Sequence, residues 1–471
     1  MKDTIAAIAT PSAVGGISVI RISGPEALTI AGRVFSTFSG KPLDSLKGYT
    51  CAYGQIISGG ETGEAGENAI DDGVASVFRA PRSYTGEDTI EISCHGGLFV
   101  TREVLRVVLR SGARLAEPGE FTKRAFLNGK LSLTQAEAVA DLIGAVSEKS
   151  LRTAKSALSG ALYRRIRSIT DDLLAVSAHL AAYIDYPEED VDELTEKDVE
   201  AIVEKSLGDL NQLLAGFDRG QLIKEGVDTV IVGKPNVGKS TLMNLLSGRA
   251  RSIVTNIPGT TRDVVEETVN LGDVVLRLAD TAGIRDTDNP VEKIGVDIAL
   301  ERLTTASLAL VVFDLSEPLS EDDDRIISRL SEETLPAVAI LNKTDLPQSL
   351  SESDLEKIRA AFPHTLLLSA GGSDKAQQQA LSALNSEISS LLELSDIHPE
   401  DAMLANERQR EAAAEAASRL SEVLSTIRSG YTLDAVDVAL ESALSALFAL
   451  TGEKVSDTVV NEVFEKFCVG K

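Results

Sequence analysis

The sequence predicts a multidomain protein: an α/β N-terminal domain, an all-α helical domain, and a doubly wound α/β domain inserted within the helical one. Three observations predict this. At 471 residues the chain exceeds one ordinary domain, and roughly 150 residues per domain gives a prior near three. Its texture shifts from mixed β and α to Ala/Leu-rich helix near Ser132, to alternating strands and helices at Asp228, and back to helix after Asp401. Its composition, 43% hydrophobic and 25% charged, excludes wholesale disorder, collagen and a small disulfide scaffold.

The elements follow in chain order. Within residues 1–128, Ile17 to Ile22, Gly73 to Phe78 and Thr89 to Ser93 read as short strands punctuated by Gly, Pro and Ser, and Leu98 to Leu109 reads as an amphipathic helix. Residues 129–225 form the first half of the helical domain: Ser132 to Tyr183 keeps 3.6-residue spacing with almost no Gly or Pro, an acidic loop runs from Tyr186 to Glu193, and a helix follows over Glu196 to Phe217. Residues 226–393 alternate. Apolar runs at Thr229 to Val232, Val274 to Ala279, Leu308 to Asp314, Ala337 to Leu341 and Thr365 to Leu368 are separated by helical stretches, the pattern of a doubly wound sheet. Beyond a linker containing Pro399, residues 394–471 return to helix.

Charge is the unusual feature. The formal net is −26, which argues against a protein that coats nucleic acid or anionic membrane through bulk electrostatics. Sorted by segment, the net is −1 for 1–128, −7 for 129–225, −11 for 226–393 and −7 for 394–471. Arg102, Arg106 and Arg110 repeat on one helical face. Lys123, Arg124, Lys130, Lys149, Arg152, Lys155, Arg164, Arg165 and Arg167 continue a basic tract, which is either a solvated face or a polyanion-binding one.

Cys51, Cys94 and Cys468 are too few and scattered for a disulfide framework or Cys-rich zinc site, so a reducing compartment is expected. A short signal peptide over Ile5 to Val14 is disfavoured by Asp3 and Pro11, and no run reaches the ~18 apolar residues of a membrane span. The expectation is a cytoplasmic protein that does not cross a membrane.

The sharpest motif is Gly233-Lys234-Pro235-Asn236-Val237-Gly238-Lys239-Ser240, after a predicted strand and opening a predicted helix. Backbone N–H groups from Asn236 through Thr241 would face phosphates, Lys239 would meet the β/γ oxygens, and Ser240 would offer its hydroxyl to Mg²⁺. Asp280-Thr281-Ala282-Gly283 then places a carboxylate to reach Mg²⁺ through water and a glycine N–H at the γ-phosphate. Asn342-Lys343-Thr344-Asp345 supplies a carboxylate that accepts from both the N1–H and the 2-amino group of guanine, which adenine lacks; the ligand is therefore GTP. Ser369-Ala370-Gly371 offers N–H groups to guanine O6. Between the first two motifs, Thr255-Asn256-Ile257-Pro258-Gly259-Thr260-Thr261-Arg262-Asp263 occupies the place of a first switch, with Thr261 the second Mg²⁺ hydroxyl. Where Ras-like enzymes keep a water-orienting Gln, this chain has Ile284, which cannot hydrogen-bond. Arg285 and Glu292 are the polar candidates nearby, and a monovalent cation could replace an arginine finger.

These motifs, with others, resemble the bacterial and organellar tRNA modification GTPases (MnmE), which act on the wobble uridine. The resemblance covers nearly the whole chain. In the N-terminal domain it rests on Gly16 to Gly24, on Ser83 to Asp88 with Cys94-His95-Gly96-Gly97, and on Pro118 to Lys130; at the other end it rests on Phe467-Cys468-Val469-Gly470-Lys471. Val469 replaces a usual Ile, and Gln409 stands where a His is expected.

The resemblance implies a homodimer formed through an N-terminal domain similar to folate-binding one-carbon-transfer domains. It implies 5-formyl- or 5,10-methylene-tetrahydrofolate near Arg21, Glu87, Lys130 and Lys471, with Cys468 a functional thiol. It also implies G domains that meet across the dimer when GTP and K⁺ bind: Asn236, Thr255, Ile257 through its carbonyl, and Thr260 would ligate K⁺, Arg262 and Asp263 would stabilise the closed switch, and Glu292 would orient the attacking water. A heterotetramer with a flavoprotein carrying FAD and using NADH would then install an aminomethyl or carboxymethylaminomethyl group on C5 of uridine 34. A ribosome-assembly GTPase and a nucleotide-switched scaffold are the competing readings, and the terminal motif speaks against both.

Overall fold

The computed structural model describes residues 3–58, 69–185, 195–249, 267–278, 302–304, 306–332, 335–395, 398, 401–465 and 467–470. The chain divides into two units: one holds residues 1–140, 166–195 and 425–471, the other 141–165 and 196–424.

The first unit is built on a seven-stranded sheet of order β3-β4-β5-β6-β2-β1-β7. Its strands are β1 (Ile5–Ile8), β2 (Ile17–Ser23), β3 (Phe35–Thr37), β4 (Thr50–Ile57), β5 (Ala69–Phe78), β6 (Thr89–His95) and β7 (Arg114–Leu115). Neighbours are antiparallel except β1 and β7. Period-two alternation sorts the side chains. Ile20, Ile22, Ala75, Val77, Ile90 and Ile92 face one core with Ile30 and Val34 of the helix Ala27–Val34 and Val104, Val107 and Val108 of the helix Leu98–Arg110. Arg21 and Glu91, paired in register across β2 and β6, point to the opposite face. In β1, Ala6 joins that core while Ile5 and Ala7 join Ala116 and Phe121 on the other side. The C-terminal tail docks here: Val469 bridges Pro118 antiparallel, and Gly119 N–H donates to the Cys468 carbonyl at 3.3 Å.

In the second unit the sheet order is β13-β12-β11-β8-β10-β9, with β8 (Val227–Val232), β9 (Glu267–Asn270), β10 (Val275–Leu278), β11 (Leu308–Asp314), β12 (Ala337–Asn342) and β13 (Thr365–Leu367). All pairs are parallel except β9 with β10. A parallel sheet is buried on both faces, and β11 shows it: Leu308, Leu310 and Val312 enter one core with the helices Lys239–Arg249 and Asp374–Leu391, while Ala309, Val311 and Phe313 enter another with Glu321–Glu332 and Glu352–Ala361. Strand β8 lies between β11 and β10, so the chain crosses over on both sides of it; ligands of such sheets bind beyond the carboxyl end of the switch-point strand.

The strands, the Leu98 helix and the helical texture agree with the sequence reading. The sequence did not resolve β1, β4, β9, the helix Ala27–Val34 or the helix Glu120–Leu127. Gln409, in the expected His position, is buried and accepts from Ala405 N–H at 2.7 Å.

Candidate functional site

The loop Gly233 to Gly238 leaves the carboxyl end of β8 and opens the helix Lys239–Arg249, so its N–H groups converge where the helix dipole is positive. Glycine is required at two places. A Cβ on Gly233 would lie 2.5 Å from the Val312 carbonyl oxygen, and one on Gly238, whose φ is +99°, would lie 2.2 Å from Asn342 Nδ2. Asn236 also takes positive φ, 64°. Lys239 Nζ donates to the carbonyls of Gly233 and Lys234, each at 2.8 Å, while Ser240 and Thr241 are exposed on the first turn. A hard hydroxyl oxygen at a phosphate-cradling helix start suits Mg²⁺, and these residues fit one. Lys234 anchors the loop from outside. Its ammonium pairs with Asp323 at 3.1 Å and Glu317 at 3.4 Å; burial alone would lower its pKa, but these acids hold it above the usual value.

Asn342 joins this loop to the base-reading loops. Buried at the end of β12, it donates from Nδ2 to the Val237 carbonyl at 2.8 Å and accepts at Oδ1 from Ala370 N–H at 3.0 Å. Lys343, at φ 65°, pairs with Asp314 at 2.5 Å. Burial raises the Asp314 pKa, but the Lys343 bond and the Ser316 contacts outweigh it and the carboxyl sits below its usual range. Thr344 N–H reaches the Leu368 carbonyl at 3.4 Å. Asp345 is fully exposed, accepts from the Ser369 hydroxyl, and is held by that bond below the ordinary carboxylate range, ionised at neutral pH. The phosphate loop, Asn342 to Asp345 and Ser369 to Gly371 are therefore brought together. Thr255 to Thr261, Arg262, Asp263, Asp280 to Gly283, Ile284, Arg285 and Glu292 lie outside the described residues.

The second expected cluster lies on the first unit. Arg21 Nε donates to Glu91 at 2.8 Å, its Nη1 reaches the Gly470 carbonyl at 3.4 Å, and its guanidinium lies 5.5 Å from the ring centres of Tyr84 and Phe121. Gly470 has φ +99°, and a Cβ there would meet the Ile8 carbonyl oxygen at 2.2 Å, so only glycine lets the tail pass. Glu87 accepts from Ser23 Oγ at 2.8 Å and from Arg124 Nη1 at 3.2 Å. Lys130 Nζ donates to the Pro81 carbonyl at 3.1 Å. Cys468 is exposed, and Lys471 lies outside the described residues. The Glu87 carboxylate, the Arg21 guanidinium and the exposed Tyr84 ring are groups that suit a planar heterocycle with an acidic tail, so these residues fit a reduced folate.

Sequence reasoning missed Arg124. It counts among the basic tract, yet its side chain is fully buried between Glu120 at 2.9 Å, Glu87 at 3.2 Å and Asp3 at 3.0 Å, and Arg114 bridges Glu120 and Asp3 beside it. The four-residue spacing of Glu120 and Arg124 on one helix was the available signal. Burial raises the Glu120 pKa, but Arg114, the Glu117 N–H and Arg124 together hold it below the usual value.

The family described as "MnmE helical domain" matches residues 133–468, and "GTP-binding protein TrmE N-terminus" matches residues 4–130. The tRNA modification GTPase MnmE of Thermoanaerobacter pseudethanolicus is 41% identical over 470 residues, 100% of this chain and 99% of that one. The protein of the same name from Carboxydothermus hydrogenoformans is 40% identical over 472 residues, covering 100% of both. Among solved structures, Aquifex aeolicus Era bound to GDP·AlF₄⁻ is 24% identical with a TM-score of 0.25, over 41% of this chain and 66% of that one. The G domain of the T. maritima FeoB iron transporter is 20% identical with a TM-score of 0.24, over 35% of this chain and 98% of that one.

Proposed function

The chain belongs to the MnmE family of tRNA modification GTPases and is a GTP hydrolase in tRNA modification; on that premise we propose that it works as a K⁺-activated homodimer which, with an FAD-dependent partner using NADH, builds the carboxymethylaminomethyl or aminomethyl group on C5 of uridine 34. Residues 1–128 are the folate-binding and dimerisation domain, 129–225 and 394–471 the two halves of the helical domain, and 226–393 the G domain.

The observation that supports the nucleotide assignment best is the Asn342 bridge. One buried amide ties the carbonyl before Gly238 to the N–H of Ala370, so phosphate and guanine contacts are set relative to each other before GTP arrives. Asp345, ionised and exposed, accepts from guanine N1–H and the 2-amino group, and Ser369 orients it. Lys239 exchanges two carbonyl partners for phosphate oxygens. Ser240 and Thr261 would supply hydroxyls to Mg²⁺, and Asp280 would supply a carboxylate to it through water. Asn236, Thr255, Ile257 and Thr260 would hold K⁺, which when bound would supply positive charge beside the developing phosphate oxyanion. Arg262 and Asp263 fix the closed switch, and Glu292 orients the water that Ile284 cannot.

In the N-terminal domain, Glu87 would accept from the pterin while Arg21, Lys130 and Lys471 would meet the acidic tail; the folate would supply the one-carbon unit when bound. Cys468, exposed on the docked tail, is the thiol at that face. Two measurements test the reading. Hydrolysis should be faster in K⁺ than in Na⁺, and equal rates would remove the K⁺ assignment. Cells lacking the chain should lose the modification at wobble uridines; unchanged nucleosides would remove the tRNA chemistry.

A further inference from the structure

We infer that the outward face of the helix Leu98–Arg110 is an RNA-docking surface, on which arginines meet phosphates and Phe99 meets a base. This rests on the tRNA-modification reading. Phe99, Arg102, Arg106 and Arg110 fall within about 80° of arc on a helix of 3.6 residues per turn. The opposite side of the helix is spent on the core through Val104, Val107 and Val108, so the stripe cannot turn inward. All three arginines are exposed. Arg106 pairs with Glu103, but Arg102 and Arg110 have no ionic partner among the described residues. Arg33 extends the stripe: exposed on the neighbouring helix, it donates to the Ser111 carbonyl at 2.7 Å, just past the end of the Leu98 helix.

The rest of the basic tract is largely engaged by the protein. Arg124 is buried, Arg165 pairs with Asp209, Arg167 with Asp171 and Glu453, Arg152 with Glu148, and Lys123 donates to Asn461. What distinguishes RNA from an acidic protein is Phe99. It is 76% exposed in the middle of the arginine arc, where an apolar ring gains nothing from water but gives an unpaired base a stacking partner. The arginines span eight residues, about 12 Å of axis, long enough to follow a phosphate backbone.

The test is binding of unmodified tRNA to the full chain at 50 and 200 mM salt. Three phosphate contacts change the salt slope by about 2.1 to 2.7, so wild type should lose about 20- to 40-fold more affinity across that range than Arg102→Glu/Arg106→Glu/Arg110→Glu. Arg102→Lys/Arg106→Lys/Arg110→Lys should keep the slope, and Phe99→Ala should weaken binding with the slope unchanged; thermal unfolding of each variant confirms the fold. Equal slopes for wild type and the Glu variant overturn the surface while leaving the tRNA reading to the nucleoside measurement. Displacement of tRNA by poly-L-glutamate at equal charge, with Phe99→Ala indistinguishable from wild type, assigns the face to an acidic protein and also overturns it.

Discussion

Replacing Asn342 by Ala should loosen the nucleotide site from both sides at once. The Asn342 amide is the partner of the Val237 carbonyl at 2.8 Å and of the Ala370 N–H at 3.0 Å, and Val237 and Ala370 are themselves buried. Removing it strands one buried acceptor and one buried donor, each costing about 1–3 kcal/mol, or about 2–6 kcal/mol together. Water entering the vacated space brings the expected loss toward about 2–3 kcal/mol. The chain has no Trp, so unfolding is followed by circular dichroism in guanidinium, alongside dissociation of a fluorescent GDP analogue. Stability should fall by that amount and GDP should leave at least about tenfold faster, since both loops lose preorganisation. A double-mutant cycle sharpens the test. Gly238→Ala drives a Cβ toward Asn342 Nδ2 and should cost less in the Asn342→Ala background, by more than about 0.5 kcal/mol of coupling. A loss under about 0.5 kcal/mol with unchanged GDP release refutes the bridging role.

Three other perturbations follow from the same geometry. Asp345→Asn should weaken GDP on the order of 100-fold or more and shift preference toward the xanthine nucleotide, whose C2 carbonyl accepts from an amide; competition binding with the two diphosphates reads it. Arg124→Met leaves half-buried Glu87 without the guanidinium beside it and buried Glu120 with Arg114 alone, and should destabilise the first unit by about 3 kcal/mol near neutral pH. Because the folded Glu120 pKa is depressed, its contribution is complete above the ordinary value of 4.5 and is lost as pH falls below it, so the penalty of Arg124→Met should shrink in acid; melting temperatures from pH 3 to 7 check the sign. Gly470→Ala should lift the tail from Ile8 and weaken 5-formyl-tetrahydrofolate binding by about tenfold by calorimetry, with melting little changed.

How much of this was legible in the sequence depends on how local each signal is. The run Leu308 to Asp314 reads as a strand without help, because a strand covered on both faces needs apolar side chains at every position. The phosphate loop reads itself for a similar reason: Gly238 must take φ +99° against Asn342, and little but glycine fits. Strand β1 did not read as a strand, since three of its four residues are divided between two cores and neither pattern is long enough to register. Strand β4 carries Cys51, Tyr53 and Gly54 among its apolar residues, and Gly54 is there because a Cβ would strike the Ser36 carbonyl oxygen at 2.1 Å, a contact only the folded sheet reveals. Arg124 is the sharpest example. Its place in the basic tract suggests a solvated basic face, whereas the acids that neutralise it come from positions 3, 87 and 120, which only the tertiary structure assembles.

The same distinction between total and local charge resolves how a chain of net charge −26 can serve an RNA partner. At physiological ionic strength charges are screened beyond about 8 Å, so the potential over the Leu98–Arg110 stripe follows from nearby charges, Arg102, Arg106, Arg110, Arg33 and Glu103 among them, rather than from the chain's sum. The surplus acid has a different consequence. It withholds nonspecific attraction from the remaining surface, so RNA gains its electrostatic energy at the stripe, where Arg102 and Arg110 have no ionic partner among the described residues and Phe99 is presented beside them. Neutralising the basic tract by internal pairing, as at Arg124, Arg165 and Arg167, acts in the same direction. Net acidity and a short arginine stripe are thus complementary: the first suppresses wrong registers, and the second selects one.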